Sequence, residues 1–314
     1  MALAKGGHLN YLRLLHNKNK LLYGYYPLYL PAISEGHVHI LDWVNEIGYF
    51  PKYNEYNFND DIVSGLCEAI QCAAKNGHFK VLKWLRNEDL DIEIALIGAA
   101  EGGQLELLEW LFNKRVYPDF LTLEDISKAA AKGGHLNILK WLKTKGLKLN
   151  HLAAEGAAEG GHLHLLQYLE QKGIKCRDIC DSAIKGGQLK LLQHLIQTGH
   201  TSPSIKIGHD AIKSGSVELL DWLLKNGYYE DKEAIQITTW AADYEHFHVL
   251  KWAITNGFES NIDCVDAAAY AGNLQILKFL KENGVAFTGS AAAAAASKAF
   301  AYIKMAVREW NQVF

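Results

Sequence analysis

The stretch AAAKGGHLNILKWL, Ala129–Leu142, places a histidine directly behind a Gly-Gly pair and a lysine. Alone it reads either as a phosphate-cradling loop with a base or as a turn joining two helices. Recurrence decides between them. The stretch returns as AAKNGHFKVLKWL (73–85), AAEGGQLELLEWL (99–111), AAEGGHLHLLQYL (157–169) and AIKGGQLKLLQHL (183–195). It returns again as AIKSGSVELLDWL (211–223), AADYEHFHVLKWA (241–253) and AAAYAGNLQILKFL (267–280). Earlier copies are LAKGGHLNYLRLL (3–15) and AISEGHVHILDWV (32–44), and a degenerate one, AASKAFAYIKMA, spans 295–306, about eleven in all.

Each copy is anchored here on the residue before the histidine position, counted as zero. The anchors are Gly7, Gly36, Gly77, Gly103, Gly134, Gly161, Gly187, Gly215, Glu245, Gly272 and Lys298, and most lie 26 to 31 residues apart, with one gap of 41 from Gly36 to Gly77. A recurring period of this size indicates a solenoid of stacked units rather than the two compact domains that the chain length suggests. Each unit reads as two helices. Before the anchor, positions −8, −4 and −3 are apolar or small (Ile126, Ala130, Ala131), while −9, −6 and −2 are polar (Asp125, Lys128, Lys132). At about 100° per residue these sets fall on opposite helix faces. After the anchor, apolar residues at +2, +4, +5 and +8 (Leu136, Ile138, Leu139, Leu142) form one stripe. A glycine recurs at +12, at Gly48, Gly146, Gly173, Gly199, Gly227, Gly257 and Gly284, where positive φ ends a helix. The expected fold class is all-α, a single solenoid of about eleven helix-turn-helix repeats over 1–314. It has aromatic-rich repeats at 1–62, regular repeats at 63–289 and C-terminal capping helices at 290–314.

The pattern A-A-x-x-G-H-L-x-x-L-x-W-L with glycine at +12 resembles the ankyrin repeat, and the likeness covers nearly the whole chain. Two departures stand out: the Thr-Pro-Leu-His opening is absent, and the period falls short of the usual ankyrin length of about 33 residues. The short, Trp-rich form is similar to the ankyrin arrays of giant DNA viruses and some protists. The resemblance implies a non-enzymatic scaffold for protein–protein interaction, engaging a host factor if the chain is viral. The F-box-like ligase-docking module that many large viral ankyrin proteins carry at one end has no convincing match within these 314 residues.

Composition narrows the function. The chain of 314 residues carries a formal net charge of −3 and is 49% hydrophobic. That balance argues against a nucleic-acid-binding face, which needs clustered basic residues. There is no apolar run long enough for a membrane span and no signal-like N-terminus. The expected setting is intracellular and cytoplasmic, or a virion. The five cysteines lack CxxC spacing and read as thiols in a reducing compartment. No cofactor and no catalytic or metal site is expected.

Several residues invite chemistry. Six histidines occupy +1 (His8, His37, His78, His135, His162 and His246), replaced elsewhere by Gln104, Gln188, Ser216 and Asn273. A ligand or base does not exchange with Gln in register, so these read as capping or turn residues. The pairs His37/His39, His162/His164 and His246/His248 are expected to diverge by about 200° on a helix and so not to share a metal. The Gly-Gly pairs lack the spacing of a phosphate loop. Six of the eight tryptophans sit at +7, where a flank would pack against the next repeat. The turns at Glu245 and Lys298, which lack the glycine, are expected to be less regular.

An ankyrin-like stack curves because first helices pack more closely than second helices, so its first-helix polar row lines a concave face. That row supplies the candidate partner-binding residues: Gln71, Lys75, Glu101, Lys128, Lys132, Glu155, Glu159, Asp181, Lys185, His209, Lys213, Thr239, Asp243, Asp266 and Tyr270. They vary between copies while the core does not. The second candidate surface is aromatic and N-terminal: Tyr25, Tyr26, Tyr29, Tyr53, Tyr56 and Phe58, with shielding of the exposed end of the stack as the alternative. Eight of 15 tyrosines fall in the first 56 residues. A rival reading is a structural or virion-associated protein that self-assembles through its ends or its tryptophan flank. At the termini, Met1 falls within a first helix, so the expectation is either a natural chain that starts earlier or an incomplete cap. The six alanines at 291–296 read as a helical run or as placeholders, and FAYIKMAVREW (300–310) as a closing helix.

Overall fold

The structure, a computed structural model, describes residues 2–18, 28–50, 60–114, 123–146, 148–174, 179–199, 208–228 and 234–286. Lys298, the alanine run and the 300–310 segment lie outside them. The chain divides into two compact units, Met1–Cys176 and Arg177–Phe314. All regular structure among the described residues is helical.

The first unit contains α1 (Ala2–Lys5), α2 (Leu9–Asn17), α3 (Tyr29–Ser34), α4 (Val38–Glu46), α5 (Asp60–Lys75) and α6 (Phe79–Asn87). It continues with α7 (Ala95–Glu101), α8 (Leu105–Asn113), α9 (Leu123–Lys132), α10 (Leu136–Thr144), α11 (His151–Glu159) and α12 (Leu163–Gln171). The second unit contains α13 (Ile179–Lys185), α14 (Leu189–Gln197), α15 (Gly208–Lys213), α16 (Val217–Lys225), α17 (Ala234–Asp243), α18 (Phe247–Thr255), α19 (Ile262–Ala271) and α20 (Leu274–Glu282). Within each unit, every first helix packs on its own second helix and on the first helix of the next repeat. Each unit is therefore a stack of helical pairs, closest along its first helices.

Every second helix is nine residues long and runs from +2 to +10, whereas first helices range from four to 16 residues. The invariance follows from the pattern. Ile138, Leu139 and Leu142 are fully buried, each contributing about 1.5–3 kcal/mol over an exposed side chain. On the first helix Ile126, Ala130 and Ala131 are buried as well. The +2 residue departs from expectation: Leu136 is only half-buried, because it opens the helix at the edge of the turn. The longest gap is absorbed in part by α5, which extends to 16 residues.

The anchor needs a left-handed backbone. Gly134 has φ 83°, and Glu245, where the glycine is missing, has φ 59°. Asp89, standing at +12, has φ 58°. The turn at Glu245 is thus regular, contrary to expectation: His246 N still donates to Ala241 O at 2.9 Å, as His135 N does to Ala130 O. The two hydrogen-bonded helix ends outweigh the strain, which for a non-glycine residue is roughly 1–2 kcal/mol.

The tryptophans at +7 pack on the preceding repeat in the first unit. Trp43 lies edge-on to His16 at 5.8 Å, Trp110 lies beside the Arg86 guanidinium at 5.7 Å, and Trp141 meets Phe112 at 4.8 Å. All three partners stand at +9 of the repeat before. The expected neighbour was the next repeat; positions +7 and +9 lie about 200° apart around the second helix, so +9 faces the repeat after and +7 the repeat before. In the second unit Trp222 stacks on Tyr228 of its own repeat at 5.6 Å, and Trp252 tilts against Phe258 at 5.7 Å while also standing beside Asp221 of the preceding repeat, as Trp84 does beside Asp42.

Candidate functional site

The histidines at +1 stand at the N-caps of second helices without capping their own helix. Each ring with a described bond reaches backwards. Nε2 of His37 lies 2.8 Å from Lys5 O, that of His135 3.0 Å from Glu101 O, that of His162 3.0 Å from Lys132 O, and that of His246 3.1 Å from Lys213 O. A carbonyl only accepts, so Nε2 carries the proton and the ring ties the −2 carbonyl of the preceding first helix. Gln104 does the same with Nε2 to Lys75 O at 3.2 Å. The capping expectation holds only for the short side chains: Leu219 N donates to Ser216 Oγ at 3.3 Å, and Ile276 N to Asn273 Oδ1 at 3.1 Å. An imidazole is too stiff to fold back onto its own second turn.

The His-x-His rings do not diverge as helical spacing implies. Their centroids are 5.6 Å apart for His37/His39 and 5.8 Å for both His162/His164 and His246/His248. The first ring of each pair belongs to a non-helical cap residue, with ψ 71° at His37, so the 100° step does not apply. His39 Nε2 donates to Gly7 O at 3.0 Å and His248 Nε2 to Gly215 O at 2.8 Å, so these rings are tied to backbone. Among the described residues no group of three or more metal-ligating side chains comes together. Burial, with the charges of His164 and His135, lowers the pKa of His162 against the opposing bond to Lys132 O.

In the first unit the predicted polar row is a ladder of ion pairs. Lys75 Nζ meets Glu101 Oε1 at 3.0 Å, Lys128 meets Glu155 Oε2 at 2.9 Å, and Lys132 meets Glu159 Oε1 at 3.0 Å. Lys5 and Glu35 add a looser pair at 3.6 Å. Partial burial pulls the Lys132 ammonium down, but the Glu159 hydrogen bond and the charges of Glu159 and Glu101 leave its pKa raised overall. The pairs form because the first helices sit very close. A Cβ at Gly156 would overlap the Lys128 carbonyl oxygen, and one at Gly98 the carbonyl of Gln71, itself half-buried.

In the second unit the row changes character. Asp181 is half-buried and Lys185 exposed. His209 lies edge-on to Trp240 at 5.3 Å, and its Nε2 is 2.6 Å from Tyr244 Oη. The Asp210 carboxylate, 3.5 Å from His209 Nδ1, favours the Nδ1–H tautomer, so the phenol donates to Nε2. Lys213 Nζ lies 5.7 Å from the Tyr244 ring centroid. Thr239 sits by Cys264, Oγ1 to Sγ 3.4 Å, so it faces inward. Asp243 is exposed, Asp266 half-buried, and Tyr270 is 80% exposed.

Trp240, Tyr244 and Asp210 were missed from the predicted row. The signal was present: Trp240 is one of the two tryptophans out of the +7 register, and Tyr244 stands at −1, where Gly-Gly repeats carry glycine. On the second candidate surface, Tyr29 is 4% exposed and packs on Phe50 at 5.2 Å, and burial pushes its phenol up to about 12. Tyr29 is therefore core rather than a free surface residue, because α3 turns it inward beneath Phe50. Tyr25, Tyr26, Tyr53, Tyr56 and Phe58 lie outside the described residues. Of the cysteines, Cys67 is exposed, Cys72 half-buried, and Cys180 and Cys264 buried; Cys176 lies outside the described residues. Burial, with Asp181 adding, pushes the Cys180 thiol up to about 11.

No protein-family model matches the chain. No curated protein matches it either. Among solved structures, it is similar to the human ASB11 ankyrin repeat domain, with 20% identity over 60% of this chain and 83% of that one, at a TM-score of 0.33. It is also similar to the maize pentatricopeptide repeat protein PPR10, with 14% identity over 95% of this chain and 50% of that one, at a TM-score of 0.34. PPR10 in complex with an 18-nt psaJ RNA element gives 13% identity over 92% and 49%, at the same TM-score of 0.34. The chain thus spans about half the length of the pentatricopeptide structures it matches. At these TM-scores the fold assignment rests on the helix pairs themselves: the chain is an all-α helical-repeat protein.

Proposed function

We propose that the protein is a non-enzymatic scaffold that binds a protein partner on its first-helix face. The chain is read as one repeat array, since the 26 residues from Gly161 to Gly187 match the spacing of neighbouring repeats elsewhere. The observation that carries the function is the division of labour within a repeat. The second helix keeps its length in every described copy and its buried stripe in all of them but α2, where Tyr11 is exposed, while the first-helix row changes from matched ion pairs to aromatic and acidic side chains. A constant frame bearing a varied exposed row suits recognition of one particular surface. The slight net negative charge favours a protein over a nucleic acid as that partner. No helix among the described residues is long and apolar enough to cross a membrane. The likeness of the repeat to giant-virus arrays directs the search to host-cell proteins.

The test is affinity capture from host-cell lysate by the full chain and by two multi-site variants. One inverts the charges of Lys75, Lys128 and Lys132; the other replaces His209, Asp243 and Tyr270 by alanine. The expected result is a protein captured by the wild type and lost with at least one variant whose circular dichroism is unchanged. Retention of every captured protein by both variants would sink the first-helix-face reading.

A further inference from the structure

The repeat register foretells one ion pair that the second unit does not make. Neighbouring −2 residues pair in the first unit, Lys75 with Glu101 and Lys132 with Glu159. In the second unit the equivalent neighbours are Lys213 and Asp243. Lys213 goes instead to the ring of Tyr244, the −1 residue, 5.7 Å from its centroid. Asp243 is left exposed, with no ion pair among the described residues. The −2 residue of the next repeat is Tyr270, 80% exposed, on α19, which packs directly against α17. Asp243 is thus flanked along the row by two phenol-bearing positions, with the Asp210 carboxylate also exposed on α15.

From this arrangement, we infer that the α15–α17–α19 face of the second unit docks an arginine-bearing segment of the partner protein. The inference rests on the scaffold reading and specifies its ligand. A guanidinium is planar, stacks on aromatic faces and donates in a fork to a carboxylate. Tyr270 supplies the exposed face and Asp243 the carboxylate, while the Tyr244 ring keeps Lys213 away from that carboxylate. An acidic segment would meet Asp243 and Asp210 with like charge. The first-unit ladder offers no such opening, because its carboxylates are already matched to lysines of the neighbouring repeat.

The test is fluorescence anisotropy of dye-labelled oligo-arginine, oligo-lysine and oligo-glutamate peptides against the full chain at physiological salt. Oligo-arginine should bind, oligo-lysine several-fold more weakly, and oligo-glutamate not at all. Asp243→Asn with Tyr270→Ala should weaken oligo-arginine binding by about tenfold, roughly 1.4 kcal/mol. The second-helix control Lys140→Gln with Glu109→Gln, two exposed residues off the first-helix row, should change it less than about twofold, both variants keeping wild-type circular dichroism. No oligo-arginine binding, equal binding of oligo-lysine, or equal loss with the control overturns the proposal. If lysate capture succeeds while oligo-arginine fails to bind, the arginine-segment inference falls and the scaffold reading stands. If oligo-arginine binds as expected while neither row variant loses a captured protein, the first-helix-face function falls and the peptide chemistry stands.

Discussion

The same repeat builds two different surfaces in the two units. In the first, the −5 position carries Gly98 on α7 and Gly156 on α11, each facing a carbonyl of the preceding first helix too closely for a Cβ. Tightly apposed helices bring the lysine of one repeat to the glutamate of the next. In the second unit −5 is Asp210 on α15 and Trp240 on α17, and the row fills with rings: His209 against Trp240 and Tyr244, with Lys213 beside the Tyr244 ring. Trp222 and Trp252 also take a ring from their own repeat, Tyr228 and Phe258, while Trp252 still stands beside Asp221 of the repeat before. At the step from α15 to α17, Trp240 thus stands where the first unit has Gly98 and Gly156, and the carboxylate of Asp243 is left among aromatics instead of being matched to Lys213.

The hardest blow to the shared frame is Leu139→Ala, a fully buried truncation expected to cost about 2–5 kcal/mol in chemical denaturation. A loss below about 1 kcal/mol would mean that the stripe is not the common core. Next comes Gly156→Ala, which forces α11 away from α9. An overpacking cost of about 1–3 kcal/mol is expected, with the Lys128–Glu155 pair broken as a consequence. Ala267 occupies the same position on α19, so Ala267→Gly in the second unit should cost only about 1 kcal/mol, as a helix-interior glycine does. Similar costs for the two changes would erase the contrast between units.

Relieving the left-handed backbone at Glu245→Gly should stabilise the protein by about 0.5–1 kcal/mol, read as a raised midpoint. Smaller still is the ladder. A double-mutant cycle on Lys132 and Glu159 should give a coupling of about 0.2–1 kcal/mol that shrinks in high salt.

The subtlest effect concerns pH. The folded pKa of His162 lies below its unfolded value, so the native state binds fewer protons there. The stability it contributes is present above the ordinary histidine range and is lost as pH falls through the lowered folded pKa. His162→Gln should keep the bond to Lys132 O, as Gln104 does to Lys75 O, and flatten that part of the stability–pH curve. An unchanged slope in the variant would assign the pH dependence elsewhere. His135→Gln should likewise cost under about 0.5 kcal/mol.

Sequence by itself determined the helical pair, its boundaries and its buried stripe. Each follows from local rules repeated many times over: apolar spacing, alanine at −4, and a glycine where φ must be positive. The conformation even outlasted its glycine at Glu245 and Asp89, because the flanking helices impose it. What only tertiary structure decided was every contact that crosses from one repeat to the next. The +1 histidine looked like a cap and is a tie to a neighbouring carbonyl. The polar row looked like free charge and is, in the first unit, a set of matched pairs. Tyr29 looked like surface and is core. Periodicity tells which face of a helix a side chain occupies. Whether that face is satisfied depends on the residue one repeat away, and on whether a glycine or a tryptophan sets the distance to it.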